Sequence, residues 1–96
     1  MKVFKGHTLR LLVLRVMDDK YLLSCGQDAM LKMWNIHSGK CVRTFLGHER
    51  NINSIDVSNN RKYILTGSSD TTAKLWEIES GLCVRNIQFQ GVMFFF

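Results

Sequence analysis

Several residue types and patterns are scarce in these 96 residues. Proline is absent altogether. So is any apolar repeat at helical spacing, which argues against amphipathic helices. The three cysteines, Cys25, Cys41 and Cys83, are an odd number and form no CxxC pair. Neither a zinc ribbon nor a redox motif is therefore expected, and reduced thiols of an intracellular protein fit best. The longest apolar stretch is far short of a membrane span. Residues 1–5 carry no apolar run before Gly6-His7, so no secretory leader is expected. Neither G-x-G-x-x-G nor G-x-x-x-x-G-K-[ST] occurs, which leaves no phosphate cradle and implies no cofactor.

Acidic residues are also few. Eight Asp and Glu stand against thirteen Lys and Arg, a net charge of +5 (13 − 8). The basic residues are scattered, with no run longer than two. A solvated surface is the plain reading, and attraction for RNA or acidic partners is the sharper one. Hydrophobic residues make up 46%, enough for a core and too many for a disordered chain.

What the sequence does contain is a repeat. Residues 23–36 read LSCGQDAMLKMWNI and residues 65–78 read LTGSSDTTAKLWEI. Asp28 and Asp70 lie 42 apart (70 − 28), as do Trp34 and Trp76, Gly39 and Gly81, and Cys41 and Cys83. The cysteine pair, recurring at that period, reads as packing. A period in the low forties with four strands per unit marks a propeller blade. Short β-prone runs fall at 1–5, 11–17, 21–25, 30–36 and 41–45, and again at 52–57, 63–66, 73–78 and 83–89. The run LLVLRVM at 11–17 is continuous enough for a strand buried on both faces. Turn residues punctuate the runs, among them Asp18-Asp19, 26–28, His37-Ser38-Gly39, 58–62 and 68–70.

The expected fold is all-β: about two blades of four antiparallel strands. Residues 1–5 read as the closing strand of a preceding blade, 6–46 as the first blade and 47–89 as the second. Residues 90–96 read as the truncated start of a third. Two repeats cannot bury their own apolar faces, and propellers have roughly four to eight blades. A piece of a longer propeller is the first expectation, and a ring completed by self-association the alternative.

Gly6-His7 with Ser24, Asp28 and Trp34, and Gly47-His48 with Thr66, Asp70 and Trp76, resemble the WD-repeat family of β-propellers. The likeness covers residues 1–89, with each element at the family's spacing twice. Trp34-Asn35 and Trp76-Glu77 replace the family's Trp-Asp and leave the fold reading intact. The resemblance implies two structural tetrads, His7/Ser24/Asp28/Trp34 and His48/Thr66/Asp70/Trp76. In each, the indole N–H donates to the hydroxyl, the hydroxyl bonds the imidazole, and the imidazole bonds the carboxylate. Burying these groups is costly singly and inexpensive as a closed network.

Ser, His and Asp are also the set used for nucleophilic hydrolysis, with Ser24 or Thr66 as nucleophile. Duplication at a fixed period, with Thr replacing Ser once, favours staples over catalytic sites. No G-x-S-x-G elbow is present, so no catalytic residue and no enzyme is expected. Cys25, His37, Cys41 and His48 match no zinc spacing, and no metal is expected.

By the same resemblance, partner contacts fall on exposed narrow-face positions. Carried onto this chain these are Arg10, Leu12, Gln27, Asn51, Asn53 and Ser69. Some family members dock ubiquitin-ligase adaptors through an Arg two residues after the Asp of Trp-Asp. Those places hold His37 and Glu79 here, so that role is not implied. The stretches LLSC (22–25), SIDV (54–57) and KYILTGSSD (62–70) also resemble the N-terminal repeats of the i subunits of eukaryotic translation initiation factor 3. The implied function is a non-catalytic scaffold for a multiprotein complex, extending to translation initiation. The alternative is a module that contacts RNA or the ribosome through its basic surface. Other protein subunits are the expected partners, with no membrane and no small-molecule substrate. The expected compartment is the cytoplasm, with the nucleus as the alternative.

Overall fold

The computed structural model describes residues 11–89, and of Leu11 and Leu12 the backbone alone. The expected strands at 1–5 and 90–96 lie outside the described residues. Eight strands follow one another: β1 Leu11–Val16, β2 Tyr21–Gly26, β3 Leu31–Asn35, β4 Cys41–Phe45, β5 Ile52–Val57, β6 Tyr63–Ser68, β7 Thr72–Glu77 and β8 Cys83–Gln88. They form two antiparallel four-stranded sheets, in the order β1-β2-β3-β4 and β5-β6-β7-β8.

Local chemistry at the turns sets this meander, and it recurs between the sheets. Asp18 Oδ1 accepts the backbone N–H groups of Lys20 at 2.8 Å and Tyr21 at 2.9 Å, folding the chain from β1 into β2. Asp28 and Asp70 cap the next turn, accepting from the N–H of Met30 at 3.2 Å and of Thr72 at 2.9 Å. The residues that follow these two aspartates, Ala29 and Thr71, take positive φ of 63° and 71°. An L side chain rarely adopts that conformation, so the Asx turn must hold it in place. Gly39 and Gly81, at φ 72° and 75°, close the hairpins into β4 and β8, where the same conformation costs glycine little. Irregularities in register also recur, at Met33/Trp34 and Leu75/Trp76. A bulge at the same place in both sheets belongs to the repeat unit.

The core lies between the sheets. Leu23, Cys25, Leu31, Met33 and Phe45 of the first sheet meet Ile52, Ile55, Ile64 and Trp76 of the second. Phe45 is fully buried and packs edge-on against Trp76, with ring centroids 5.7 Å apart. Arg15 ties the inner strands. One guanidinium nitrogen donates to Ile55 O at 3.1 Å, and the other sits 3.1 Å from Asp56 Oδ1.

Three expectations require correction. The 11–17 run is not buried on both faces. Val13 packs on the core, whereas Leu14 and Val16 are 59% and 67% exposed. Strand alternation points Leu14 and Val16 away from the second sheet. Cys41 and Cys83 do not pack inside. Both lie exposed on the outer strands β4 and β8, with Sγ donating to Arg43 O and Arg85 O. Finally, β2 and β6 run on through Gly26 and Ser68, where turns were expected. In β6 the extra length is anchored by Ser68 Oγ, which donates to Arg50 O at 3.1 Å and Asn51 O at 2.9 Å.

Phe45→Ala is expected to lower stability by about 3–5 kcal/mol, through lost apolar burial and a cavity between the sheets. Urea unfolding checks this: the midpoint falls at unchanged slope, while the exposed control Leu82→Ala stays within about 0.5 kcal/mol of the parent.

Candidate functional site: a buried polar chain and the loop end it holds

In the second sheet the four expected residues come together as one hydrogen-bonded chain. The Trp76 indole N–H donates to Thr66 Oγ1 at 2.9 Å. Thr66 Oγ1 lies 2.7 Å from His48 Nε2. His48 Nδ1 lies 2.9 Å from Asp70 Oδ2. The protons follow from the partners available. The carboxylate can only accept, so Nδ1 carries the ring proton and Nε2 accepts from the threonine hydroxyl. The hydroxyl therefore takes one proton from the indole and gives its own to the imidazole.

The elements dictate this geometry. Thr66 and Trp76 sit on adjacent strands, one on β6 and one on β7. His48 arrives from the loop between the sheets, and Asp70 from the β6–β7 turn. Gly47 admits the loop. A Cβ there would lie 3.2 Å from the Trp76 ring at a φ of 155°, so any side chain would be both crowded and strained.

Asp70 is held by more than the histidine. Its Oδ2 also accepts the Glu49 N–H at 3.0 Å, and its Oδ1 accepts the Thr72 N–H and hydroxyl. The Thr72 hydroxyl further lies 3.2 Å from His48 Nδ1. Sequence reasoning missed Thr72, whose counterpart Met30 has no hydroxyl. The available signal was a threonine two residues after a turn aspartate. Ser68 was missed likewise, and its counterpart is Gly26.

Burial lowers the His48 pKa below its ordinary 6.5, and the positive Lys74 adds to this, against the opposing pull of Asp70. For Asp70, burial works against ionisation. The hydrogen bonds from the Thr72 side chain, the Glu49 backbone, His48 and the Thr72 backbone outweigh it and hold the carboxyl well below its usual range. Burial, with the nearby Asp28 charge, pushes the Cys25 thiol up to about 12. That cysteine is an inert core residue.

In the first sheet the Trp34 indole N–H donates to Ser24 Oγ at 2.7 Å, inside the protein. Asp28 caps its turn through Met30. His7 lies outside the described residues. Of the expected partner-binding positions, Arg10 also lies outside, and Leu12 is described only as backbone in β1. Gln27, Asn53 and Ser69 are exposed, and Asn51 is half-buried instead of fully exposed. Asn51 sinks because its carbonyl accepts from the Ser68 hydroxyl and the Ser69 N–H. Three of these residues form a line: Asn51 Nδ2 donates to Asn53 Oδ1 at 2.9 Å, and Asn53 Nδ2 to Ser69 Oγ at 3.2 Å. His37 is exposed in its turn. Among the described residues no group of three or more His, Cys, Asp or Glu could hold a metal ion.

Two meanders of four antiparallel strands, packed face to face and stapled from the connecting loop, are blades of a β-propeller. The sequence profile of the WD40 family, "WD domain, G-beta repeat", matches residues 1–35 and 39–77, and the chain belongs to that family. It superposes on the WD40 β-propeller domain of Doa1 with a TM-score of 0.84 at 29% identity, covering 90% of this chain and 29% of that one. It is 40% identical over 60 residues to the mouse F-box/WD repeat-containing protein 10, covering 60% of this chain and 6% of that protein. It is 41% identical over 34 residues to a probable E3 ubiquitin ligase complex SCF subunit, sconB, of Arthroderma otae, covering 35% of this chain and 5% of that protein. The chain thus spans only a small part of these relatives.

Thr66→Val leaves the indole N–H without its acceptor and the imidazole without its donor. A loss of about 1–3 kcal/mol for each orphaned group is expected in chemical unfolding, with Thr66→Ser close to the parent. Stability should also fall with acid, in two steps. The unfolded chain takes up a proton near His48's ordinary 6.5 that the folded chain refuses, so stability is full above that pH and declines below it. Asp70 adds a further decline as pH drops below its ordinary 3.8 toward its lower folded value. Unfolding midpoints measured from pH 8 to 3 check both steps, and His48→Asn should flatten the profile between pH 7 and 5.

Proposed function

We propose that this chain acts as a non-catalytic scaffold that seats a protein partner on the loop end of its blades. The observation that carries the proposal is the line of polar side chains Asn51, Asn53 and Ser69, fixed above the buried staple by Ser68 and Asp70. Gln27 occupies the matching turn of the first blade and is also exposed. Loops held rigidly by a scaffold give a partner a surface that needs no ordering on binding.

Hydrolysis fits poorly with the geometry. The Thr66 hydroxyl is fully buried, gives its proton to His48 and accepts from the Trp76 indole. A nucleophile must be reachable by substrate. The relatives' names favour a multiprotein complex of the ubiquitin-ligase kind, with this chain contributing a protein-binding surface. His37 and Glu79 argue only against the adaptor-docking arginine. The stretches at 22–25, 54–57 and 62–70 favour translation initiation as the second setting, in the cytoplasm. The net charge of +5 is what favours an RNA or ribosome contact nearby.

Affinity capture from cell extract, followed by identification of co-purifying subunits, separates these settings. Ubiquitin-ligase subunits support the first, and initiation factors the second. The triple variant Gln27→Arg, Asn53→Arg, Ser69→Arg should lose the captured partner while its thermal unfolding stays within a few degrees of the parent. Undiminished capture would remove the loop end as the docking site.

A further inference from the structure

The loop that delivers His48 leaves a cleft beside it that the staple does not use. Thr72 lies opposite Gln88, and Lys74 opposite Asn86, on the paired strands β7 and β8. Strand alternation puts these four residues on one face of the sheet, the face that also carries Trp76. The loop at 46–51 crosses this face. Gly47 brings it close to the Lys74 stem, since a Cβ there would lie 3.6 Å from Lys74 Cε. Glu49 and Asp70 complete the walls of a cleft of about 230 Å³.

The cleft offers more donors than it has acceptors for. The Lys74 ammonium gives one hydrogen bond, to Asn86 Oδ1 at 2.8 Å, and has no carboxylate partner among the described residues. Two of its three N–H groups are left to give. Asn86 uses its oxygen on the lysine and keeps both amide N–H groups. Gln88 is exposed, and its amide is unbonded among the described residues. Asp70 cannot take these donors, because its oxygens already accept from His48, from Glu49 and twice from Thr72. Recurrence separates the frame of the repeat from what is added to it. Gly47, Asp70 and Lys74 repeat Gly6, Asp28 and Lys32 of the first blade. Thr72, Asn86 and Gln88 stand where the first blade has Met30, Thr44 and Leu46, 42 residues earlier (88 − 46). The frame is therefore complete without the two amides.

We propose that this cleft binds a carboxylate side chain, aspartate or glutamate, of a protein partner. One carboxylate oxygen accepts from the Lys74 ammonium, and the other from the amides of Asn86 and Gln88. Hydrogen bonds between ionised groups are shorter and stronger than neutral ones, so the lysine supplies the attraction and the amides fix the orientation. A glutamine side chain has the same shape but brings no charge and a single acceptor oxygen. Glu49 limits the affinity. Its exposed carboxylate stands at the rim and opposes an incoming anion by like charge. The cleft shares no residue with the line of Asn51, Asn53 and Ser69, so the proposal goes beyond the loop-end reading and does not depend on it.

Fluorescence anisotropy of the full chain, at physiological ionic strength, tests the proposal with two dye-labelled, end-blocked hexapeptides, one of glutamate and one of glutamine. The glutamate peptide should bind and the glutamine peptide should not. Lys74→Gln should weaken binding by about tenfold or more. Asn86→Asp gives the ammonium a carboxylate of its own and should weaken it as much. Glu49→Gln should tighten it by about two- to fivefold. Lys40→Gln removes the same unit of charge from an exposed turn outside the cleft, and should change affinity by less than about twofold. Circular dichroism checks that each variant is folded. Should Lys74→Gln unfold, the opposite shifts expected of Asn86→Asp and Glu49→Gln decide alone. Absence of binding, or equal binding of the two peptides, overturns the proposal. Equal losses with Lys74→Gln and Lys40→Gln overturn it too, and assign the attraction to the net charge of +5.

Discussion

One hydroxyl does most to define this molecule. Thr66 Oγ1 joins the indole of one strand to an imidazole delivered by the loop between the sheets. Without it, two buried polar groups lose partners at once, and neither can turn to water. The imidazole then fixes the Asp70 carboxylate, and that carboxylate fixes the turn that begins β7 and the backbone of Glu49. Sheet pairing, loop path and turn conformation are thus coupled through four side chains. Strand hydrogen bonds would hold each meander, but they do not dictate how the loop crosses from one blade to the next.

The two blades carry different side chains around the turn aspartate. In the second, Thr72 and Ser68 add donors around the aspartate and along the incoming loop. In the first, the same positions hold Met30 and Gly26. The repeat therefore supplies a common frame, to which the second blade adds local hydrogen bonds. The added bonds lie beneath the line of Asn51, Asn53 and Ser69, and they account for the half-burial of Asn51. A surface intended to be recognised benefits from that support, since its side chains then lose little freedom when a partner arrives.

Much of this was legible from spacing. The 42-residue recurrence of Asp28 and Asp70 located the turns, and that of Trp34 and Trp76 located the third strands, because a repeat forces both copies into one geometry. The pairing of Trp76 with Thr66 was implied by the resemblance to the WD-repeat family, and the cost of burying an indole N–H alone agrees with it. Other features were hidden for physical reasons. The run at 11–17 looked buried on both faces because hydrophobicity reports what a residue tolerates, and not which neighbour is present to cover it. Leu14 and Val16 show the difference. Cys41 and Cys83 looked like core residues because the periodicity that marks structure does not distinguish inside from outside. Thr72 was invisible for the opposite reason: it does not recur, and a search guided by recurrence passes over it.

Cys25 lies in the seam between the blades, its thiol bonded to the Ile52 carbonyl across the interface and kept protonated by its surroundings. Cys41 and Cys83 sit in the open on the outer strands. The chain thus carries its own clock for separation of its halves. An alkylating reagent finds two sulfurs immediately and the third only while the seam is parted, so the lag between them times the opening without any label having to be introduced.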